Sequence, residues 1–349
     1  MISPLERGIN RDAFTRTVLV LAIAAVSLRE TGVSPELFAQ APSDPIGEDV
    51  ALTIAPAGQV RGTLIIPKSS AAVPVVLIIA GSGPTDRNGN SPLIPGANNS
   101  LRLLAEALAA EGIASLRYDK RGIGQSSRFN ELDVRFDMFV DDAVAWIAKL
   151  RSDARFSHVV VAGHSEGSLI GMAAASRTRV DGFVSIAGAG RKAMDVIRDQ
   201  LRNQLGTSPM WMDIESTLRT LDAGNLVDPL PASIVAVPGL MGVFRPSVQP
   251  YLISWNRYVP STLIASLKVP VLVAQGTTDL QVGIDDAKAL HAAKPDAVLL
   301  LVDGMNHVFK RAPTDPQLNV ATYSDPKLPV VPELTNGIVQ FVKRVAERR

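Results

Sequence analysis

The sequence contains no cysteine, has only 5% aromatic residues, and carries charges that nearly cancel, with 35 Lys and Arg against 34 Asp and Glu. The lack of cysteine excludes disulfide scaffolds, thiolate metal sites, iron–sulfur clusters and a cysteine nucleophile, although it does not exclude export. A formal net charge of +1 gives no global electrostatic reason to expect nucleic acid or an anionic membrane as a partner. An ordinary globular protein remains, and 349 residues allow one large domain or two modest ones.

The N-terminal segment has the pattern of an export signal. Arginines precede an apolar run at 18–28, which is too short to span a bilayer but suits the apolar part of a signal peptide. The small-x-small pattern A-Q-A at 39–41 then offers a cleavage site. We interpret residues 1–41 as a signal peptide and expect a periplasmic or secreted protein without a stable membrane anchor. The alternative is an amphipathic helix lying on a cytoplasmic domain.

From residue 49 onward, short β-rich runs alternate with helical patterns. Val50–Ile54 and Val60–Ile66 predict a hairpin, and Val73–Ala80 is apolar almost throughout, as expected of a strand buried on both faces. Such alternation predicts βαβ units around a mostly parallel sheet, an α/β fold. Further strands are predicted at Ile113–Tyr118, His158–Ala162, Phe183–Ala187, Val269–Ala274 and Ala297–Val302.

The strand rhythm is interrupted between residues 190 and 262. This stretch is rich in Pro and Met and shows no clear strand pattern, so we predict a helical lid insertion between two parts of the core, 42–189 and 263–349. Its large apolar side chains, including Trp211 and Phe244, are expected to close over a pocket at the carboxyl edge of the sheet. The alternative is that they form only a small satellite core.

The segment G-H-S-E-G at 163–167 follows a predicted strand and precedes a helix of small residues. In the G-x-S-x-G turn both glycines are needed, because the serine backbone is strained and the strand and helix approach closely. Such a turn exposes the serine Oγ at the carboxyl edge of the sheet, beside a helix N-terminus. Ser165 is therefore the candidate nucleophile.

A serine nucleophile needs a base and an acid, which in this arrangement follow it in the order Ser, Asp or Glu, His. The chain has four histidines, and His307 is the one in a loop after a late predicted strand, so we expect it to be the base. Asp279 comes just after the predicted strand Val269–Ala274 and is the expected acid; Asp303, closer to His307 in sequence, is its rival.

Acyl transfer also requires N–H donors for the oxyanion. The N–H of Glu166, directly after the nucleophile, is one candidate. The second should come from the glycine-containing loop A-G-S-G-P-T-D after Val73–Ala80, and we assign it to the N–H of Ser82.

Together, G-H-S-E-G, the run Y-D-K-R-G-I-G-Q-S at 118–126, the acid loop Q-G-T-T-D-L-Q-V and M-N-H resemble the α/β-hydrolase superfamily. The branch resembled is that of the serine aminopeptidase-like hydrolases, which includes esterases and monoacylglycerol lipases. The resemblance implies that D-x-R-G-x-G-x-S is a structural turn in which Asp119 and Arg121 tie loops together. This sequence departs from many relatives at the oxyanion loop, where it has Ala80-Gly81 and they have His-Gly.

These residues predict a serine hydrolase that cleaves carboxylic esters with a small to medium acyl or alcohol group through an acyl-enzyme, with no metal or organic cofactor. An aminopeptidase-like amidase is the alternative; it would need a carboxylate in the insertion to bind the substrate ammonium, and Asp213, Glu215 and Asp222 are available. A non-catalytic binding protein is the third possibility, but such proteins normally have a broken triad. The sequence carries no signal for the oligomeric state.

Overall fold

The computed structural model describes residues 47–54 and 58–348, which are organised around an eight-stranded sheet. The interpretation of 1–41 as a signal peptide falls outside the described residues and stays a prediction. None of the helices in the described part of the chain is long and apolar enough to cross a membrane.

The sheet has the strand order β1-β2-β4-β3-β5-β6-β7-β8. Its first two strands form the predicted hairpin, with β2 antiparallel to both β1 and β4, and all other neighbours are parallel. The predicted α/β class with a mostly parallel sheet is confirmed. The strands are β1 (Gly47–Ile54), β2 (Gly58–Ile65), β3 (Val73–Ile79), β4 (Ala114–Tyr118), β5 (Phe156–His164), β6 (Gly182–Ile186), β7 (Val271–Gly276) and β8 (Val298–Val302).

Helices connect the parallel strands. In chain order they are α1 (Ser100–Ala110), α2 (Phe136–Arg151), α3 (Glu166–Arg177), α4 (Ala193–Leu205), α5 (Trp211–Asp222), α6 (Ala232–Val235), α7 (Pro238–Phe244), α8 (Gln249–Asn256), α9 (Pro260–Ser266), α10 (Ile284–Ala293), α11 (Pro316–Ala321) and α12 (Pro332–Ala346).

Two hydrophobic clusters cover the two faces of the sheet. Side chains alternate between faces along a strand, so Val75 and Leu77 of β3 join one cluster while Val76 and Ile78 join the other. Helices α1 and α12 belong to the second cluster, and α2 and α3 to the first. This double cover explains why the central strands are apolar along their whole length.

Between β6 and β7 the chain forms the helices α4 to α9, and the described residues there include no strand. These helices share the core of the sheet. Trp255 of α8 stacks on Phe136 of α2 with ring centroids 6.1 Å apart, and Ser254 Oγ accepts a hydrogen bond from the Phe136 N–H at 2.9 Å. Phe244 is completely buried in the same cluster as β3 and β5.

The expectation that Trp211 and Phe244 line the pocket is wrong. Phe244 packs into the core, and the Trp211 ring lies beneath the guanidinium of Arg202 at 4.6 Å. Both are apolar residues of the insertion, but the composition of a segment does not reveal which of its side chains face a cleft.

The burial of Phe244 gives the first prediction. Phe244→Ala leaves a cavity in the shared core and should lower the free energy of unfolding by about 3–5 kcal/mol. Met212→Ala, in α5 of the same insertion and 78% exposed, should change it by about 0.5 kcal/mol or less. Urea denaturation followed by circular dichroism measures both. A loss below about 1 kcal/mol for Phe244→Ala would contradict a core shared between the insertion and the sheet.

Candidate active site

Four of the sequence-predicted site residues follow strands at one edge of the sheet, and the fifth, Glu166, begins helix α3 next to Ser165. Ser82 follows β3, Ser165 follows β5, Asp279 follows β7 and His307 follows β8. Because these four strands are parallel, the loops after their carboxyl ends lie on the same side of the sheet. The topology therefore brings together residues that are up to 225 positions apart, from 82 to 307.

Ser165 occupies a sharp turn between β5 and α3. Its backbone has φ 55° and ψ −120°, a conformation that residues with a side chain rarely adopt. Both flanking glycines are sterically required: a Cβ on Gly163 would lie 2.1 Å from the Gly167 carbonyl oxygen, and one on Gly167 would lie 2.3 Å from that of Ile79. The turn is held by the Ser165 N–H, which donates to the Ile186 carbonyl at 2.9 Å.

Asp279 and His307 form a buried pair. His307 Nδ1 donates to Asp279 Oδ2 at 2.8 Å, and the two side chains are 4% and 0% exposed. The other oxygen, Asp279 Oδ1, accepts the backbone N–H groups of Gln281 at 2.8 Å and Val282 at 3.0 Å, while Gln275 Nε2 reaches Oδ2 at 3.1 Å. Burial alone would raise the pKa of Asp279, but the charge of His307 and these hydrogen bonds hold it below its usual value.

The rival acid Asp303 lies elsewhere. It is exposed, and its carboxylate accepts a hydrogen bond from Thr277 Oγ1 at 3.1 Å rather than from His307. Of the two candidates, Asp279 is thus the one placed to orient the imidazole.

Ser165 and His307 are linked through His164. The His164 ring lies 4.7 Å from the His307 ring, and its Nε2 donates to the His307 carbonyl at 2.9 Å. The structure has no direct hydrogen bond between the side chains of Ser165 and His307, both of which lie in the described part of the chain. Hydrogen bonds between catalytic groups are often long in unliganded proteins and tighten only when substrate binds.

His164 has a role that the sequence did not indicate beyond its place inside the turn. Burial, followed by the charge of the neighbouring His307, lowers the pKa of His164 to about 3, so its ring is neutral at physiological pH. A ring with so low a pKa is a weak base, and its Nε2 is already bonded to the His307 carbonyl, so His164 is a poor candidate for the general base. It ties the nucleophile turn to the loop that carries His307.

Asn306 is a second residue that sequence reasoning missed. It is fully buried; its Oδ1 accepts the N–H of Lys310 at 3.0 Å, and its Nδ2 donates to Thr322 Oγ1 at 2.7 Å. These bonds brace the tight loop on which His307 stands. The only sequence signal was its position in M-N-H, directly before the predicted base.

The turn after β4 ties loops together, as the resemblance implied. Asp119 accepts hydrogen bonds from Arg87 Nη2 at 2.8 Å and from the Gln125 N–H at 3.0 Å, and Arg121 pairs with Asp142 of α2 at 2.6 Å. Burial, the largest influence, raises the pKa of Asp142 in spite of that pair. These contacts join the turn after β4 to the loop after β3 and to α2.

The two proposed oxyanion donors face the same cleft as Ser165. Ser82, Ser165 and Glu166 line it together. Among the described residues, neither the Ser82 N–H nor the Glu166 N–H is committed to a backbone carbonyl.

The walls of the cleft come mainly from α3 and the insertion. Its larger apolar side chains include Leu169, Val196, Ile197 and Trp255, and its polar side chains include Arg191, Gln200 and Gln281. Arg191 is paired with Asp286 at 3.0 Å and also with Asp199. No group of three or more His, Asp or Glu side chains that could hold a metal ion occurs within 47–54 and 58–348.

Comparison with known proteins points to hydrolases. The sequence profile of the family described as serine aminopeptidase, S33, matches residues 97–217. Esterase EstD of Thermotoga maritima is 28% identical over 253 residues, which are 71% of this chain. The chain spans 57% of the length of that curated relative.

Solved structures of esterases share the fold. Est1E of Butyrivibrio proteoclasticus superimposes with a TM-score of 0.54 at 17% identity, covering 85% of this chain and 98% of Est1E. The Pyrococcus furiosus esterase PF2001 gives a TM-score of 0.57 at 16% identity, covering 92% of this chain and 98% of its own. The chain therefore has the α/β-hydrolase fold, and its sequence resembles the branch of that superfamily that contains esterases and the serine aminopeptidase-like hydrolases.

Proposed function

We propose that this protein is a serine hydrolase that cleaves carboxylic esters through an acyl-enzyme, with Ser165 as nucleophile, His307 as base and Asp279 as the orienting acid. The observation that carries the proposal is the buried 2.8 Å hydrogen bond from His307 to Asp279, at the sheet edge where Ser165 stands on its strained turn. A nucleophile, a base and an acid in this arrangement recur in acyl transfer on unrelated folds.

In the proposed mechanism, His307 removes the proton of Ser165 Oγ, which attacks the ester carbonyl. The N–H groups of Ser82 and Glu166 hold the oxyanion of the tetrahedral intermediate. His307 then gives its proton to the leaving alcohol, and water activated by His307 hydrolyses the acyl-enzyme. Asp279 holds Nδ1 protonated, which leaves Nε2 free to act as the base, and it stabilises the imidazolium.

The cleft favours esters over peptide N-termini. An aminopeptidase needs a free carboxylate in the cleft, yet the three candidates have other partners. Asp213 accepts a hydrogen bond from Ser233, Glu215 pairs with Arg198 at 3.0 Å, and Asp222 accepts one from Asn256 at 2.5 Å. None of these three carboxylates lines the cleft.

Ester turnover by the proposed nucleophile and base gives the second prediction. Ser165→Ala and His307→Ala should each lower kcat for p-nitrophenyl acetate by about 10⁶-fold, because the two residues act as one unit. His158→Ala, on the half-buried first part of β5, is the matched control and should keep kcat within about threefold. Stopped assays at equal concentrations of folded protein measure all three. Retention of most activity by a folded Ser165→Ala variant would refute the proposal.

The surroundings of Asp279 give the third prediction. In Asp279→Asn, the side-chain oxygen should stay on the backbone N–H groups of Gln281 and Val282, so its NH₂ would face His307 and favour the wrong tautomer. We expect a loss of about 10⁴-fold in kcat. Asp303→Asn, the matched control, should cost less than about threefold. The reverse ranking would show that Asp303 is the acid.

The cleft wall gives the fourth prediction. Val196 of α4 lines the cleft, so Val196→Phe should fill space needed by a long acyl chain. We expect kcat/KM for p-nitrophenyl octanoate to fall about 10-fold relative to the acetate, because each methylene excluded from an apolar pocket weakens transition-state binding. Val235→Phe is the same change at a position 52% exposed in α6, and should leave that ratio unaltered. An unchanged ratio in Val196→Phe would remove Val196 from the acyl site.

A further inference from the structure

Lys120 places a buried ammonium beside the candidate active site. Its side chain is 2% exposed, and Nζ donates to the Gly81 carbonyl at 2.6 Å and to Glu166 Oε2 at 2.7 Å. The ring of Phe139 lies 5.2 Å from the same nitrogen. A lysine is rarely buried to this extent, and burial is tolerated only where partners replace the lost water.

Both hydrogen-bond partners of Lys120 belong to the proposed oxyanion hole. The Gly81 carbonyl is part of the peptide group whose N–H is that of Ser82, one proposed donor. Glu166 contributes the other N–H from its backbone. A single ammonium group thus connects the loop after β3 to the first turn of α3.

The contact with the Gly81 carbonyl sets the direction of the Ser82 N–H. A trans peptide group is planar, so its C=O and N–H point in opposite directions. With the carbonyl held by Lys120, the N–H must point away from Lys120. Ser82 lines the same cleft as Ser165, which is the cleft in which an oxyanion at Ser165 would form.

Without an anchor, the peptide group between Gly81 and Ser82 could flip. Gly81 lies so close to the nucleophile that an added Cβ would be 3.2 Å from Ser165 Cβ and 3.3 Å from His164 Nδ1. Glycines on both sides of Ser82, with Gly83 at φ 70°, leave the backbone many conformations. A flipped peptide would present the carbonyl of Gly81 where a donor is required.

We propose that Lys120 is a positioning residue that holds the peptide between Gly81 and Ser82 with its N–H in the oxyanion hole. The inference rests on the proposed function. Lys120 does not touch the reacting atoms; it acts through the backbone of the loop after β3.

The test compares two neighbouring buried cations. Lys120→Met removes the anchor, and Arg121→Met removes the cation of the adjacent buried pair with Asp142, which does not contact Gly81. Each change strands a buried carboxylate, so each is also made in a double variant that neutralises the partner, Lys120→Met with Glu166→Gln and Arg121→Met with Asp142→Asn. Melting temperature, kcat and KM for p-nitrophenyl acetate are measured for all four.

We expect both Lys120 variants to lose about 10- to 100-fold in kcat with KM within about threefold, because a lost oxyanion donor acts only in the transition state. Affinity for a trifluoromethyl ketone, which forms a tetrahedral adduct with an active serine, should weaken by a similar factor. The Arg121 variants should keep kcat and ketone affinity within about threefold, even with an equal loss in melting temperature.

Two results separate the possible failures. Folded Lys120 variants with wild-type kcat and ketone affinity, or Arg121 variants with the same selective loss of kcat, would overturn the positioning role while leaving the esterase proposal standing. A wild-type protein without Ser165-dependent ester turnover would instead overturn the proposed function, and the Lys120 inference with it.

Discussion

The close approach of β5 and α3 at Ser165 is the steric constraint on which the candidate site depends. Since Gly163 and Gly167 leave no room for a Cβ, the chain turns from strand to helix within a few residues and holds Ser165 at a positive φ. Strain of this kind persists only when the surrounding structure over-determines it. Here a central strand buried on both faces and a helix of small residues supply that support. The packing of these two elements therefore places Ser165 at the sheet edge.

Buried charges then orient the loops that meet at this edge. Two buried ion pairs lie at this edge, His307 with Asp279 and Lys120 with Glu166. Because of the desolvation cost, such pairs contribute little to the free energy of unfolding. Their hydrogen bonds fix the relative positions of the segments that they join. Each joins segments that are distant in sequence, and each partner accepts or donates in a direction that allows few alternative arrangements.

The insertion between β6 and β7 combines two roles. Phe244 and Trp255 belong to the same hydrophobic cluster as the central strands, while Val196 and Trp255 face the cleft. One surface of these helices thus completes the core of the sheet, and another shapes the space next to Ser165. Changes in the apolar side chains at the cleft would reshape this space without a change in fold.

Sequence alone determined the strand and helix alternation and the G-x-S-x-G turn at Ser165, and it singled out His307 among four histidines as the candidate base, because each depends on residues close together along the chain. It also ranked Asp279 above Asp303 from the position of one predicted strand. Tertiary structure decided what depends on distant residues. It places Gln275, Gln281 and Val282 as hydrogen-bond donors to Asp279, and it buries His164 as a neutral ring bonded to His307. It also decides that Phe244 lies in the core whereas Val196 lines the cleft. The Lys120 contact with Gly81 spans 39 positions. No local pattern encodes such contacts, because only the packing of strands and helices brings their partners together.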